Sequence, residues 1–312
     1  MSVFVFTDKR LAEYNFGEDH PFGPRRFHAF CDSLIRSDGI LQVGESRLAS
    51  SSELEWFHTK EYLKRVRKAS ESGGVYLDRG DTPAFAGVFE AASRVVGTVL
   101  LAIEKIQTSP CRRAFVPIAG MHHGYRDHAA GFCVFNDCCV AVEMLRRVYG
   151  LQRIVYVDID AHHGDGVYYS FEADPDLFIV DFHEDGRFLY PGTGTKNETG
   201  RGPAAGTKMN VPMPIGADDE LFLEFWRKAE EFLERVSPQF VLFQCGADSL
   251  DGDDLAHLCY SPRTHRFVAE RLCRYADRCC EGKLLALGGG GYNLENIAQG
   301  WNAVVAAMAE TL

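Results

Sequence analysis

The chain has 312 residues, 46% of them apolar and 25% charged, and carries a formal net charge of −11 at pH 7. This length allows one large α/β domain or two smaller ones, and it is sufficient to bury a sizeable core. The negative charge argues against nucleic acid as the main partner, because nucleic-acid binders usually present a basic patch, but it would attract cationic substrates.

Predicted strands and helices alternate through the first part of the chain. We predict strands at residues 2–7 and 114–119, and helices at residues 25–37, 52–69 and 83–107. Ser51 or Ser52 can cap the second helix, since Glu53 and Glu55 would lie in its first turn. Pro83 suits the first turn of the third helix, where its missing N–H costs no hydrogen bond.

The same alternation continues through the rest of the sequence. We predict strands at residues 153–158, 177–182, 239–245 and 283–287, and helices at residues 136–149, 218–236, 264–280 and 294–309. The strands contain the apolar runs IVYV, LFIV, FVLF and LLAL, which are typical of strands buried on both faces. Together these elements predict an α/β fold with a mainly parallel central sheet and helices on both faces. No repeat or linker divides the sequence, so we expect a single domain over residues 1–312.

The cysteines and the hydropathy bear on the cellular compartment. The ten cysteines include no CxxC pair, and the adjacent Cys138 and Cys139 suit neither a zinc knuckle nor a disulfide framework. The opening MSVFVFTDKR has too short an apolar run for a signal peptide, and no segment has the roughly 18 apolar residues of a membrane span. We therefore expect a cytoplasmic protein with reduced thiols that associates with neither membranes nor nucleic acids.

Polar residues concentrate where the predicted strands end. In parallel sheets ligands bind outside the carboxyl ends of the strands. The residues that follow the predicted strands include His122, His123, Asp158, Asp160, His162, His183, Asp248 and the glycine run that ends at Tyr292. Polar loops after strands are common, which would account for a few of these residues but poorly for so many Asp, His and Tyr together.

A candidate metal site stands out among these residues. Asp160, His162 and Asp248 offer two carboxylates and one imidazole, and would leave an open position for water, as catalytic zinc requires. Divalent iron or cobalt could use the same ligands, so the residue types do not fix the metal. A simple helix cap after a strand is the ordinary alternative, but DIDAHHGDG places two His and three Asp in nine residues, which a cap does not need.

Several long motifs resemble those of one enzyme family. MHHGYRDHAAGFCVFND, VDIDAHHGDGV, CGADSLDGD and GGGGYN, in this order, are similar to the motifs of the zinc-dependent histone deacetylase family. Within this family, which has the arginase/deacetylase fold, the chain most resembles the bacterial acetoin-utilisation type. HPFGPRR and DTPAF fit the same family, so the resemblance runs from about residue 14 to residue 302.

The resemblance implies a catalytic role for each of these residues. It implies one zinc ion per chain, bound by Asp160, His162 and Asp248. It places the two active-site histidines at His122 and His123, their carboxylate partners at Asp158 and Asp165, and the transition-state tyrosine at Tyr292. In such a site a metal-activated water attacks an amide, a histidine moves the proton, and the phenol stabilises the oxyanion.

The resemblance also implies a substrate channel. Gly131 would accept a hydrogen bond at its carbonyl, Phe132 and Tyr190 would flank an aliphatic side chain, and Asp81 would hold the substrate backbone at the rim. Tyr190 stands where the best-known members have Phe, so it adds a hydroxyl. As an isolated residue before Pro83, Asp81 fits a helix cap better than a rim residue, and it could serve as both.

Structural potassium is a further expectation from the resemblance. One ion would lie under the zinc loop, bound by Asp158, Asp181 and the carbonyl of Phe182, with backbone contributions from Asp160 and His162. At Asp181 the best-known members have Ser, so the charge around this ion would differ. A second ion would lie near Phe171.

Three alternatives compete with a lysine deacylase that removes acetyl or other short acyl groups. An arginase-type enzyme with two manganese ions would need carboxylates where this chain has Gly164 and Leu250. An acetylpolyamine hydrolase often has an acidic gatekeeper where this chain has Leu255. A binding module or inactive relative would lack a ligand, a histidine or the tyrosine, and none is missing. The sequence leaves open the acyl group, the oligomeric state and the choice between acylated protein and acetylated polyamine.

Overall fold

One parallel sheet organises the molecule. The computed structural model describes residues 2–17 and 19–311, and its eight strands lie in the order β2-β1-β3-β8-β7-β4-β5-β6. Every neighbouring pair is parallel. The strands are β1 (Val3–Phe6), β2 (Ile40–Val43), β3 (Arg113–Val116), β4 (Ile154–Asp158), β5 (Leu177–Glu184), β6 (Lys208–Met213), β7 (Phe240–Gln244) and β8 (Leu284–Leu287). The central strands β3, β4, β7 and β8 are buried at every residue, which explains their apolar sequences and confirms the predicted α/β class.

The helices pack in two groups. Those found in the described part of the chain are α1 (Arg25–Asp32), α2 (Ser51–Leu54), α3 (Lys60–Ser70), α4 (Val88–Thr108), α5 (Asp137–Arg147), α6 (Asp165–Ser170), α7 (Asp219–Leu233), α8 (Pro262–Cys280) and α9 (Leu294–Glu310). In one group α9 packs on α1 and α8, and α7 packs on α8. In the other, α3 packs on α4, and α5 packs on α2, α4 and α6. No helix in either group combines the length and the apolarity needed to cross a bilayer.

Three of the predicted helices differ clearly from the structure, and the first of them, predicted at residues 25–37, ends at Asp32. Residues 52–69 form two helices rather than one, because the Thr59 side chain accepts the N–H of Tyr62 and starts α3 anew. Ser50, rather than Ser51 or Ser52, caps α2 through a capping box with Glu53. The third predicted helix begins at Val88, not at Pro83, since Gly87 precedes it in a left-handed conformation. The prediction that Pro83 occupies a first helical turn is therefore wrong.

Two strands have no clear signature in the sequence. They are β2 and β6, which lie at the two edges of the sheet. Their sequences, ILQV and KMNVPM, contain Gln, Lys, Asn and Pro. Edge strands tolerate polar residues and Pro because one of their sides is unpaired, so the apolar pattern that predicts the central strands is absent from them.

Candidate metal centre and active site

The strand order brings the predicted polar residues to one edge of the sheet. Strands β4 and β7 are neighbours, and the loops after them carry Asp160 and Asp248 respectively. Strand β8 lies beside β7, and β3 lies beside β8. The loop after β8 carries Tyr292 and the loop after β3 carries His122, so both loops lie at the same edge of the sheet. Residues distant in the chain therefore meet because parallel strands end on the same side.

Asp160, His162 and Asp248 form a compact triangle. One ligand atom from each lies within 4.8 Å of the others. His162 Nδ1 is 3.1 Å from Asp160 Oδ1 and 3.2 Å from Asp248 Oδ2. A tetrahedral zinc site with bonds of about 2.0–2.1 Å has ligand–ligand edges of about 3.3 Å, so these two distances match edges of such a site.

The remaining carboxylate oxygens of the triangle are bound by the protein. Asp160 Oδ2 accepts hydrogen bonds from Gln244 Nε2 at 2.7 Å and from the Gly290 N–H at 2.8 Å. Asp248 Oδ1 accepts one from the Ala161 N–H at 2.9 Å. Asp160 Oδ1, which also accepts the His162 N–H at 3.0 Å, and Asp248 Oδ2 face the His162 ring and are the oxygens that a metal would take, while the other oxygens fix the orientation of the carboxylates. Gln244 is a functional residue that sequence reasoning misses, although it ends the apolar run FVLFQ.

The electrostatics of the triangle also favour a cation. Both carboxylates are fully buried, and burial, together with the charge of Asp160, raises the pKa of Asp248 to about 7. Two buried carboxylates side by side are costly without positive charge, since each loses its hydration. A divalent ion with an open coordination position would offset that cost, so the residues present fit a catalytic metal.

His122 and His123 form a paired dyad beside the triangle. His122 Nδ1 lies 2.8 Å from Asp158 Oδ2, and His123 Nδ1 lies 2.6 Å from Asp165 Oδ1. Because these carboxylates can only accept, both Nδ1 atoms carry a proton. The two Nε2 atoms are 3.1 Å apart, so one of them must also be protonated and donate to the other. The dyad therefore holds a single positive charge, shared between its rings.

The environment decides which ring holds that charge. Burial opposes protonation of His122, but Asp158 and Asp160 outweigh it and raise the pKa of His122. Burial and the neighbouring His122 charge both lower the pKa of His123. The extra proton thus goes to His122 first and leaves His123 neutral, so that His123 Nε2 is the one ring nitrogen of the dyad without a proton.

Two tyrosines complete the support of the dyad. Tyr156 donates its hydroxyl to Asp158 Oδ2 at 2.6 Å, and Tyr125 donates to Asp165 Oδ2 at 2.8 Å. Neither tyrosine lies in a position that the sequence alone marks as functional. Their hydroxyls add a further hydrogen bond to each carboxylate and so restrict the orientation of the imidazoles.

Tyr292 and the channel residues line the same cavity as the triangle. This cavity measures ≈ 240 Å³, and its walls include all the predicted rim and channel residues, namely Asp81, Gly131, Phe132 and Tyr190. The rings of Phe132 and Tyr292 pack edge to face at 5.9 Å, and those of His123 and Tyr190 at 5.1 Å. Phe22 and Leu255 also line the cavity, and sequence reasoning assigns no channel role to Phe22.

Gly131 has a steric reason to be glycine. Its φ is +51°, and a Cβ there would lie 2.5 Å from His123 Cδ2 and 3.0 Å from Tyr190 Cε1. Any side chain would therefore displace the dyad or the channel wall. Phe132 follows with a φ of 66°, which is uncommon for a residue with a side chain.

Two hydroxyls hold Phe132 in this conformation. Tyr14 donates to the Phe132 carbonyl at 2.6 Å, and the Phe132 N–H donates to Thr82 Oγ1 at 3.0 Å. Thr82 in turn donates to Asp78, whose carboxylate also accepts the N–H of Asp81. The helix-cap alternative for Asp81 is wrong, because α4 begins at Val88, well past this loop. Asp81 is instead exposed at the mouth of the cavity.

The residues predicted to bind potassium lie beneath the dyad. Asp158 and Asp181 are directly paired across β4 and β5, and both are buried. Asp181 accepts from the Gly164 N–H at 2.9 Å and lies 2.7 Å from His183 Nδ1. His183 Nε2 lies 2.8 Å from the Gly194 carbonyl, so both its nitrogens face acceptors and the ring is cationic. Accordingly Asp181 raises the pKa of His183, although burial opposes this.

Comparisons with known proteins find similar proteins over nearly the whole chain. Residues 20–308 match the family described as the histone deacetylase domain. The chain is 36% identical over 319 residues to the acetoin utilization protein AcuC of Bacillus subtilis (strain 168). This alignment covers 99% of this chain and 80% of that protein. It is 29% identical over 316 residues to the protein of the same name from Staphylococcus xylosus, covering 98% and 82% respectively.

Solved structures are similar over the same extent. The crystal structure of the HDA15 HD domain superposes with a TM-score of 0.87 at 28% identity, covering 99% of this chain and 89% of that one. The crystal structure of an HDAC homolog complexed with SAHA gives a TM-score of 0.86 at 27% identity, covering 100% and 85%.

Proposed function

The chain belongs to the histone deacetylase domain family, and from this premise we propose that it is a zinc-dependent amidohydrolase that deacylates lysine side chains. The resemblance of its motifs to this family is confirmed, including the likeness to acetoin-utilisation proteins. Family membership implies a metal-dependent amidohydrolase; the acyl-lysine substrate and the identity of the metal are our proposal. One observation carries it: the metal triangle, the dyad and Tyr292 all line one cavity.

Asp160, His162 and Asp248 would hold the metal in this proposal. When bound, zinc would lower the pKa of a water molecule and polarise the amide carbonyl of the substrate. The mixed nitrogen and oxygen ligands suit zinc and also suit ferrous iron. The protein's contribution is to fix three ligand atoms while Gln244 and backbone amides bind the other carboxylate oxygens.

The dyad would move the proton. In our proposal His123, neutral at Nε2, accepts the proton of the attacking water, and Asp165 stabilises the charge that the ring acquires. His122, already cationic and bound to Asp158, supplies positive charge to the developing transition state. The proton then passes from the dyad to the departing lysine amine, which completes hydrolysis.

Tyr292 would stabilise the oxyanion. An unperturbed phenol has a pKa of about 10, and burial raises that of Tyr292 further, so its hydroxyl is protonated and can donate. A buried donor held in a fixed position is worth more to a developing negative charge than the same donor in water.

The channel supports a linear substrate. Phe132 and Tyr190 would flank the aliphatic part of an acyl-lysine, the Gly131 carbonyl would accept its amide N–H, and Asp81 at the mouth would bind the peptide backbone. Leu255, rather than an acid, lines this cavity, so no carboxylate at that position awaits the distal ammonium of a polyamine. This observation favours acyl-lysine over acetylated polyamine, the alternative substrate class.

Potassium is part of the proposal, as a structural ion at Asp158, Asp181 and the Phe182 carbonyl. The direct pairing of two buried carboxylates across neighbouring strands supports it, because like charges at such positions repel. His183 already supplies one positive charge there. Potassium chloride should therefore raise the melting temperature more than lithium chloride of equal ionic strength, and equal effects of the two salts would contradict the site.

A substrate panel tests the proposed function. We would load the protein with one equivalent of zinc or of ferrous iron and assay acyl-lysine peptides of increasing acyl length beside acetylated polyamines. We expect the highest kcat/KM on a short-chain acyl-lysine peptide. A preference for polyamines would replace the substrate class, and full metal loading without turnover on any acyl amide would reject an enzymatic function.

A further inference from the structure

The loop that carries Tyr292 is held by few side chains. It connects β8 to α9 and contains Gly289 at φ 72° and Gly291 at φ 120°, two positive-φ conformations that favour glycine. The glycines themselves are held by backbone hydrogen bonds, from the Gly289 N–H to Ala119 and from the Ala247 N–H to Gly290, and by the bond from the Gly290 N–H to Asp160. The position of the Tyr292 hydroxyl therefore depends on whatever fixes the backbone on either side of it.

Two of the carbonyls before Tyr292, those of Gly289 and Gly291, are bound by one arginine. Arg26 donates from Nε to the Gly291 carbonyl at 2.7 Å and from a terminal nitrogen to the Gly289 carbonyl at 2.6 Å. These bonds set the course of the chain up to Tyr292. The backbone N–H of Tyr292 also helps to set the direction of its side chain. Another residue binds this N–H.

That partner is Asp253. Its Oδ2 accepts the Tyr292 N–H at 2.7 Å and the Asn293 N–H at 3.3 Å. Its Oδ1 accepts the N–H of Leu255 at 2.9 Å, and Leu255 lines the catalytic cavity. One carboxylate thus joins the tyrosine loop to the mouth of the channel. Across residues 2–17 and 19–311 no Lys, Arg or His lies within ion-pairing distance of it, so backbone amides are its partners.

We propose that Asp253 is a positioning residue that holds the Tyr292 hydroxyl toward the metal centre and couples it to Leu255 at the channel mouth. The expected effect of Asp253 on catalysis rests on the proposed function. Because one carboxylate accepts hydrogen bonds from both segments, the position of each depends on the other. When a substrate contacts Leu255, the Tyr292 hydroxyl is therefore already positioned. A misplacement of about 1 Å at a reacting group can cost about 100-fold in rate.

Kinetics of Asp253→Ala and Asp253→Asn test the proposal. We expect Asp253→Ala to lower kcat on an acyl-lysine peptide about 10-fold to 100-fold, with KM changed less than about twofold, because the oxyanion contact forms in the transition state. Asp253→Asn keeps one acceptor oxygen without the charge, so it should retain intermediate activity. Asp254→Asn, which removes an exposed charge one residue later, is the matched control and should behave as wild type.

A double-mutant cycle separates positioning from a general structural effect. If Asp253 acts through Tyr292, then Asp253→Ala should cost less than about twofold in kcat once Tyr292 is already Phe. A loss in the Tyr292→Phe background as large as in wild type would overturn the proposal. An increase in KM by the same factor as the decrease in kcat would also overturn the proposal.

Hydrogen exchange provides a readout that does not depend on turnover. The amides of residues 288–293 should exchange faster in Asp253→Ala than in wild type or Asp254→Asn, at equal global stability. Unchanged exchange there would overturn the role of Asp253 whatever the kinetics. Faster exchange in a protein that hydrolyses no acyl amide would support the tether and reject the proposed function, so the two failures are distinguishable.

Discussion

Gln244 Nε2 donates to Asp160 Oδ2 at 2.7 Å, so a glutamine at the end of β7 orients a carboxylate that follows β4. The two strands are neighbours in the sheet, which is why their ends meet. The bond occupies one oxygen of Asp160 and leaves Oδ1 beside His162. The candidate metal centre is therefore built from two strand ends together, and neither strand could build it alone.

Replacement of this glutamine should weaken metal binding without abolishing it. We expect Gln244→Leu to lower the affinity for zinc about 10-fold to 100-fold, because residues that orient metal ligands typically contribute that much. Asp248→Ala, which removes a ligand, should lose stoichiometric zinc. The measurement is a competition titration with a chelating dye, and normal zinc affinity in Gln244→Leu would show that Asp160 needs no such support.

Removal of the proposed base should affect turnover and spare metal binding. We expect His123→Ala to lower kcat about 100-fold to 10,000-fold, the range typical of a general base, since its Nε2 is the neutral nitrogen of the dyad. Zinc content should stay at one equivalent. His28→Ala, at an exposed histidine on α1, is the matched control. Near wild-type turnover of His123→Ala would exclude His123 as the base.

The hydrogen bond from the Phe132 N–H to Thr82 should matter for substrate binding. Thr82→Val removes the hydroxyl that accepts the Phe132 N–H, at nearly constant volume. We expect the free energy of unfolding to fall by about 1–3 kcal/mol, the cost of an unsatisfied buried group, and KM to rise as the channel wall loosens. Thr82→Ser keeps the hydroxyl and should restore KM. Equal KM values for the wild type and Thr82→Val would show that Phe132 does not need this hydrogen bond to bind substrate.

The sequence predicts the sheet and its polar edge for a physical reason. Buried parallel strands such as IVYV and FVLF are conspicuous runs of apolar residues, and the ends of such strands must meet. All three predicted metal ligands accordingly lie within 4.8 Å of one another. Family motifs add the pairing of His122 with Asp158, which spacing alone would not give.

Other parts of the site depend on tertiary contacts that no local pattern encodes. Thr82 and Tyr14 reach Phe132 across 50 and 118 residues of sequence, and Asp253 reaches Tyr292 across 39. Such bonds join a side chain to a distant backbone group, so neither partner has a characteristic neighbour. The break between α2 and α3 is different in kind: Thr59 caps α3 locally, but the helical spacing of residues 52–69 continues through the break and hides it.

His58, which lies at that break, should make stability depend on pH. It is buried, its Nε2 accepts the Asn136 N–H at 3.0 Å, and burial lowers its pKa from 6.5 to about 3. Between these two values the unfolded chain binds a proton that the folded chain does not, so the free energy of unfolding falls as pH falls. The contribution of His58 is complete above pH 6.5 and is lost progressively toward pH 3.

A glutamine at this position isolates the effect. His58→Gln offers an acceptor that does not titrate, so it should flatten this part of the pH dependence. Measured by urea denaturation at a series of pH values below 6.5, the wild type should lose about 1.4 kcal/mol more than His58→Gln for each pH unit. The comparison cancels other buried histidines such as His265, because both proteins contain them. Parallel stability curves for the two proteins would mean that His58 is protonated equally in the folded and unfolded chains.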